Sequence, residues 1–207
     1  GSQEHKSKPT QHSVKELRGM GISPDLIVLR CDEPLESSIF KKIALFCNVA
    51  ADAVVDSKDV DSIYKVPLTM HAQKLDEIVL RLMDVKYQGE PHMAPWLDFI
   101  AKLDAATEPV TIGLVGKYVE LQDAYKSINE ALLHAATYAD RKLNLVYIHS
   151  EKLTEADVDE KLSGMDGVVI APGFGQRGIE GKFTALRWCR EHNVPTFGIC
   201  LGMQCMV

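Results

Sequence analysis

Short apolar runs alternating with stretches of helical period organise the whole chain. Leu26-Ile27-Val28-Leu29 follows Pro24-Asp25 as a continuous run, the mark of a strand buried on both faces, and Ala53-Val54-Val55 repeats it. Val14 and Leu17 share a helix face within Ser13–Arg18, which Gly19 and Gly21 end. Phe40, Ile43, Ala44 and Cys47 recur at the spacing of one helix face, and Leu75, Ile78, Val79 and Leu82 predict an amphipathic helix over Leu75–Met83. From Val85 to Pro109 the character changes. Gly89, Pro91 and Pro95 punctuate a polar stretch with one short helix, Trp96–Leu103. The stretch reads as a linker between two domains, or alternatively as a long loop within one.

After Pro109 the pattern restarts more strongly. Strand signals at Thr111–Val115, Leu143–His149, Gly167–Ala171 and Pro195–Cys200 alternate with helix signals at Ala124–Tyr138, Thr154–Leu162 and Gly181–Glu191. Thr154 with Asp157 resembles a capping box, with Asp in place of the usual Glu. Strand, helix, strand at this spacing predicts parallel sheets wrapped by helices. The fold class expected is α/β: two three-layer domains with mostly parallel sheets, both incomplete in this chain. The end at Val207, just after an apolar stretch that would continue as a helix, predicts a truncation, and Gly1-Ser2 reads as a cloning remnant.

Composition narrows the function classes. Apolar residues at 46% and charged residues at 25% exclude a disordered or collagen-like chain. No apolar run approaches the roughly 18 residues of a membrane helix, and no secretory leader opens the chain. A net charge of −6 supplies no basic field for nucleic acid. The cysteines, Cys31, Cys47, Cys189, Cys200 and Cys205, are odd in number and form no CxxC pair. That speaks against a disulfide framework and a zinc site and favours a reducing cytoplasm, where one thiol can be a nucleophile.

The sharpest chemical signal is Gly198-Ile199-Cys200-Leu201-Gly202. Glycines two residues either side of a nucleophile, between a strand and a helix, are what a nucleophile elbow requires. The turn lifts the central side chain out at the carboxyl edge of the sheet and aims the next amide, that of Leu201, at a developing oxyanion. A buried cysteine at an ordinary strand–helix turn fits the same five residues. Ala171-Pro172-Gly173-Phe174-Gly175-Gln176-Arg177-Gly178 follows a strand and could bring backbone amides beside the elbow. A phosphate loop is its rival reading, although the GxxxxGK[ST] spacing is lacking. Gly116-Lys117-Tyr118 is likewise short of a phosphate loop. Near the start, Lys6-Ser7-Lys8-Pro9-Thr10-Gln11-His12-Ser13 places lysines and hydroxyls at a helix N-terminus, suited to an anion or equally to a solvated face.

Several longer segments, KSKPTQHSVKEL, KIALFCNV, KDVDSIYKVP, GLVGKYVELQDAYKSI, GFGQRGIEGK and FGICLGMQ, resemble the CTP synthase family along essentially the whole chain after Gly1-Ser2. The resemblance implies residues 1–104 as the distal part of a synthetase domain, with a linker from about 85. It implies residues 105–207 as the N-terminal half of a class I glutamine amidotransferase domain. It implies Cys200 as the nucleophile and Gly173, Leu201, Gly202, Met203 and Gln204 as glutamine-binding positions. Lys6, Ser7, Lys8, Pro9, Thr10, Gln11 and Lys42 would hold UTP or the inhibitor CTP, and Lys58, Asp59 and Val60 would contact ATP. Lys117, Tyr118 and Lys126 would lie near the interface of the two activities.

The implied reaction is ATP-dependent amination of UTP with ammonia from glutamine, with GTP as activator and a cytoplasmic homotetramer as the complete enzyme. Magnesium would be held by residues outside this chain, and no metal site is expected within it. No nucleic acid or membrane is implied. Three departures stand out. No GxxxxGK[ST] loop is present, and no histidine follows His192, so this chain alone is expected to be inactive. The family's common Pro-Gly-Gly-Phe-Gly reads Ala171-Pro172-Gly173-Phe174-Gly175 here, and Pro172 has no amide hydrogen to donate. Two other classes fit parts of the pattern: a non-catalytic nucleotide-binding or regulatory module, and another class I amidotransferase. The KSKPTQHSVKEL segment disfavours the latter.

Overall fold

Parallel pairing of short apolar strands organises each half of the chain. The structure, a computed structural model, describes residues 7–87 and 89–207. They form two compact units, the first ending at His92 and the second running Met93–Val207. Among the described residues no helix is long and apolar enough to cross a membrane.

The first unit is built from α1 (Lys8–Gly19), β1 (Ile27–Cys31), α2 (Ser37–Cys47), β2 (Val54–Lys58), α3 (Val66–Ala72) and α4 (Leu75–Leu82). Strand β1 pairs with β2 in parallel, Ile27 opposite Val54 and Cys31 opposite Lys58. Successive strand residues face opposite sides, so Val54 joins Ile27, Leu29, Val14, Ile43, Ala44 and Cys47 under α1 and α2. Val55 turns instead to Ala53 and Ile78 of α4. The result is three layers, as the apolar runs imply. Helix α1 begins at Lys8, earlier than the expected Ser13, because Pro9 fits the first turn with its fixed φ. Helix α3 has no counterpart in the sequence pattern. After it, the Gln73 side chain accepts from Asp56 N–H and donates to Asp56 O, both at 2.9 Å, extending the β2 edge as a short strand would.

The second unit contains α5 (Ala94–Ala105), β3 (Pro109–Gly116), α6 (Lys126–Tyr138), β4 (Lys142–His149), α7 (Val158–Leu162), β5 (Gly167–Ile170), α8 (Ile179–Glu191), β6 (Thr196–Gly198) and α9 (Leu201–Gln204). The sheet order is β4-β3-β5-β6, all parallel. Val115, Ile148, Val168 and Ile170 pack one face against α7 and α8 through Leu162, Ala185, Trp188 and Cys189. Leu114, Val169 and Ala171 pack the other against Tyr125, Ile128 and Leu132. Helix α5 lies in the stretch read as a linker, yet it belongs to this unit. Phe99 meets His134 of α6 edge-on at 5.4 Å and Tyr138 at 6.2 Å. The chain runs from β3 outward to β4 and returns on the other side of β3 as β5. That reversal puts the switch point of the sheet at the carboxyl ends of β3 and β5, where open α/β sheets bind ligands.

Candidate active site

Cys200 stands between β6 and α9 with φ 52° and ψ −111°, a conformation a non-glycine residue holds only under strain of about 1–3 kcal/mol. The neighbouring glycines explain how the turn is held. A Cβ on Gly198 would sit 2.6 Å from Gly202 C and Met203 N, and one on Gly202 would sit 2.1 Å from Ile170 O. Both positions are closed to any side chain by backbone, so the strand, the turn and the helix are pressed together around Cys200. Ile199 N–H donates to Ile170 O at 3.0 Å, tying the turn to the end of β5. Cys200 is the exposed thiol, whereas Cys47 and Cys189 are buried and Cys31 and Cys205 half-buried. Burial pushes the thiols of those four up from their ordinary value.

The turn's hydrogen bonds sort its amides. Gly202 N–H donates to Ile199 O at 2.9 Å and Gln204 N–H to Cys200 O at 3.0 Å, so both are engaged. Leu201 opens helix α9, where the first N–H groups have no partner within the helix, so its amide can serve an oxyanion. The glycine-rich segment arrives beside it. The position a Cβ would take on Gly173 lies 3.8 Å from Leu201 Cδ2, 3.4 Å from Lys117 Cε and 3.8 Å from Lys182 Nζ. Gly173 thus brings a second amide next to the elbow, while Pro172 can offer none. A thiol on a strained, exposed turn with amides close by can attack a carbonyl carbon and stabilise the oxyanion that forms.

Two lysines that the sequence pattern did not single out as buried complete this neighbourhood. Lys182 is 1% exposed and donates to Ala171 O at 2.6 Å. Burial pushes its ammonium pKa down and Lys117 adds to that, against the opposing pull of Cys205 and Cys200. Lys117 is also buried and donates to Phe174 O. Its backbone is held in turn: the Tyr125 hydroxyl accepts from Lys117 N–H at 3.1 Å and from Tyr118 N–H at 3.2 Å. The available signal was helical spacing, since Lys182, Ala185 and Cys189 fall at i, i+3 and i+7 on the buried face of α8. Lys126, by contrast, forms a surface pair with Glu130 at 3.1 Å.

The nucleotide-site expectations fall on the first unit. Lys6 lies outside the described residues. Ser7 is buried at the N-cap of α1, its hydroxyl accepting from Gln11 Nε2 at 3.1 Å, with Lys8 and Pro9 exposed in the first turn and Thr10 half-buried. Lys42 is exposed on α2. Lys58 ends β2, and Asp59, pairing with Arg30, and Val60 follow it. Among the described residues no hydrogen bond or ion pair joins these three segments to one another. In the second unit Met203 and Gln204 are exposed on α9, and Gly202 is buried.

Comparisons with known proteins agree on one family. The family description "CTP synthase N-terminus" matches residues 1–85, and "Glutamine amidotransferase class-I" matches residues 120–207. The CTP synthase of Bacteroides fragilis is 59% identical over 205 residues, 99% of this chain and 38% of that protein. That of Porphyromonas gingivalis is 59% identical over 204 residues, again 99% of this chain and 38% of the relative. A solved structure, "Trypanosoma brucei CTPS - glutaminase domain with bound acivicin", is 36% identical, covers 47% of this chain and 39% of its own, and aligns with a TM-score of 0.45. The chain therefore spans 38% of the length of these two relatives.

Proposed function

The chain belongs to the CTP synthase family, and from that premise we propose that the complete protein makes CTP from UTP, ATP and glutamine, with Cys200 releasing the nitrogen. The observation that carries the reading is the elbow: an exposed thiol at φ 52°, flanked by two glycines that backbone contacts hold free of side chains. Cys200 Sγ attacks the side-chain amide carbon of glutamine, the C–S bond forms, and the carbonyl electrons move onto oxygen. The Leu201 and Gly173 amides meet that oxyanion. Its collapse breaks the C–N bond, and the nitrogen leaves as ammonia with a proton from a histidine that the resemblance places beyond residue 207. Water then cleaves the thioester, giving glutamate and the free thiol. Met203 and Gln204, exposed on α9, would be glutamine-binding positions by the same resemblance, with Gly173, Leu201 and Gly202.

The second half of the reading places UTP, and CTP as inhibitor, on Lys6, Ser7, Lys8, Pro9, Thr10, Gln11 and Lys42, and ATP on Lys58, Asp59 and Val60. ATP phosphorylates the uracil 4-oxygen. Ammonia then bonds to C4, the C–O bond breaks, and phosphate departs beside ADP. Magnesium would be held by residues outside this chain, and would neutralise the triphosphates; among the described residues no group of three or more His, Cys, Asp or Glu side chains could hold a metal ion. GTP activation, the homotetramer and a cytoplasmic setting belong to the same reading by family.

Cys200→Ala in the complete enzyme tests it. Glutamine-driven CTP formation should fall by at least about a thousandfold while ammonia-driven formation stays within about twofold, because the thiol serves only to free nitrogen. Normal glutamine-driven turnover in the variant would make Cys200 a packing residue and end the amidotransferase reading.

A further inference from the structure

The glycine-rich segment leaves β5 between two buried ammonium groups. Lys182 donates to Ala171 O at 2.6 Å, and Lys117 donates to Phe174 O. Ala171 is itself fixed to the sheet, its N–H donating to Val115 O at 2.9 Å. Only Pro172 and Gly173 lie between the two clamped carbonyls. The Ala171 carbonyl belongs to the peptide unit that enters Pro172, and the proline ring locks the next torsion, φ. Once that plane is fixed, a single rotation, ψ of Pro172, decides where the Gly173 N–H points. Gly173 sits against Leu201, the residue after Cys200, and the Lys182 ammonium lies 3.8 Å from where a Gly173 Cβ would be. A buried charge is costly, and an apolar side chain of the same shape would pack on α8 beside Ala185 and Cys189 without that cost.

We propose that Lys182 is a positioning residue for glutamine hydrolysis: its hydrogen bond to the Ala171 carbonyl, passed through the rigid Pro172, aims the Gly173 amide at the oxyanion formed on Cys200 attack. The inference rests on the reading of Cys200 as the nucleophile. It gives Pro172 a purpose as well. The proline gives up one amide donor and in exchange leaves only its ψ between the carbonyl held by Lys182 and the next amide, with the Phe174 carbonyl held by Lys117 on the far side.

The test compares Lys182→Met with the wild type and with Cys200→Ala in the complete enzyme, each assayed with glutamine and with ammonia. Removing an oxyanion donor outright slows turnover by about a hundredfold to a thousandfold, so misaiming one should lower the glutamine kcat by about tenfold to a hundredfold. The glutamine KM should move by less than about threefold, because the amide is needed in the transition state and not for ground-state binding. Ammonia-driven CTP formation should be unaffected, and a chloroketone analogue of glutamine should still label Cys200 to full stoichiometry, only more slowly. An unchanged glutamine kcat would overturn the proposal. So would a raised KM at unchanged kcat, which would make Lys182 a matter of substrate binding, and so would parallel loss of ammonia-driven turnover, which would make it a residue of general stability. Failure of the underlying reading shows separately, as glutamine-driven turnover surviving in Cys200→Ala.

Discussion

At the scale of single residues, glycines with the same composition cost have different reasons to be there. Gly202 has no room: a Cβ would meet the Ile170 carbonyl oxygen at 2.1 Å and its carbon at 2.8 Å, both backbone atoms of β5 that cannot swing away. Gly164 has nothing within 4 Å but a φ of +81°, so its requirement is conformational. Gly202→Ala should therefore push α9 off the sheet, lowering stability by about 1–3 kcal/mol and glutamine-driven turnover with it. Gly164→Ala should cost about 1–2 kcal/mol for the left-handed backbone and leave turnover alone. Thermal unfolding and glutamine assays of the two variants separate the cases, and equal turnover in both would contradict the crowded-elbow account. The pattern of glycines around Cys200 was legible in the sequence because a strand–nucleophile–helix turn calls for them at fixed spacing. For Gly198 the crowding is local, from Gly202 and Met203, although for Gly202 it comes from Ile170 of β5. The lysine contacts were not: Lys182 and Ala171 are 11 residues apart, Lys117 and Phe174 are 57 apart, and each pair meets only once the sheet has formed.

At the scale of elements, the strands were the readable part. Leu26–Leu29 and Gly167–Ala171 are continuous apolar runs, and they lead into β1 and β5. Strand β5 is buried at every position, as a parallel strand covered on both faces requires. Strand β1 instead buries Ile27 and Leu29 on one face and leaves Val28 45% exposed on the other, against the expectation of burial on both faces. Helix α3 was not readable, since none of its residues is buried and no apolar stripe marks it. Its only signal is Pro67 in the first turn, after a 3-10 turn at Ile63–Lys65 that Ser62 caps by accepting from Tyr64 N–H at 3.3 Å. The Thr154–Asp157 signature is half realised. Asp157 accepts from Thr154 N–H at 2.7 Å, but α7 starts only at Val158, and Thr154 Oγ1 donates to the same carboxylate at 2.9 Å. The hydrogen bond from Lys161, with those from Thr154, holds the Asp157 carboxyl down to about 2. Because the folded value lies below the ordinary one of 3.8, this carboxylate favours the folded state above that ordinary value, and the contribution is lost as pH falls through about 2. An NMR titration should place the Asp157 midpoint near 2 and move it up in Lys161→Met. A midpoint at the ordinary carboxylate value in both proteins would show that the α7 turn is not held this way.

At the scale of the whole molecule, the two compact units each carry one half of the proposed chemistry: nucleotide-site positions in the first, the elbow in the second. That division predicts how defects should combine. Lys42 is an exposed cation on α2, and if it neutralises a triphosphate its loss removes a charge-assisted contact worth about 1.5–3 kcal/mol, or roughly tenfold or more in UTP saturation. Since UTP is aminated whatever the source of nitrogen, Lys42→Ala in the complete enzyme should raise the UTP KM equally with glutamine and with ammonia, and should weaken CTP inhibition. Cys200→Ala should abolish only the glutamine-driven rate. The double variant should then make CTP from ammonia alone, with the UTP KM of Lys42→Ala, because sites without shared partners contribute independently. Steady-state UTP titrations of the four proteins with each nitrogen source measure this. A UTP defect that appears with glutamine but not with ammonia would place Lys42 outside the nucleotide site, and Lys42→Ala with unchanged UTP saturation would remove the synthetase assignment of that helix.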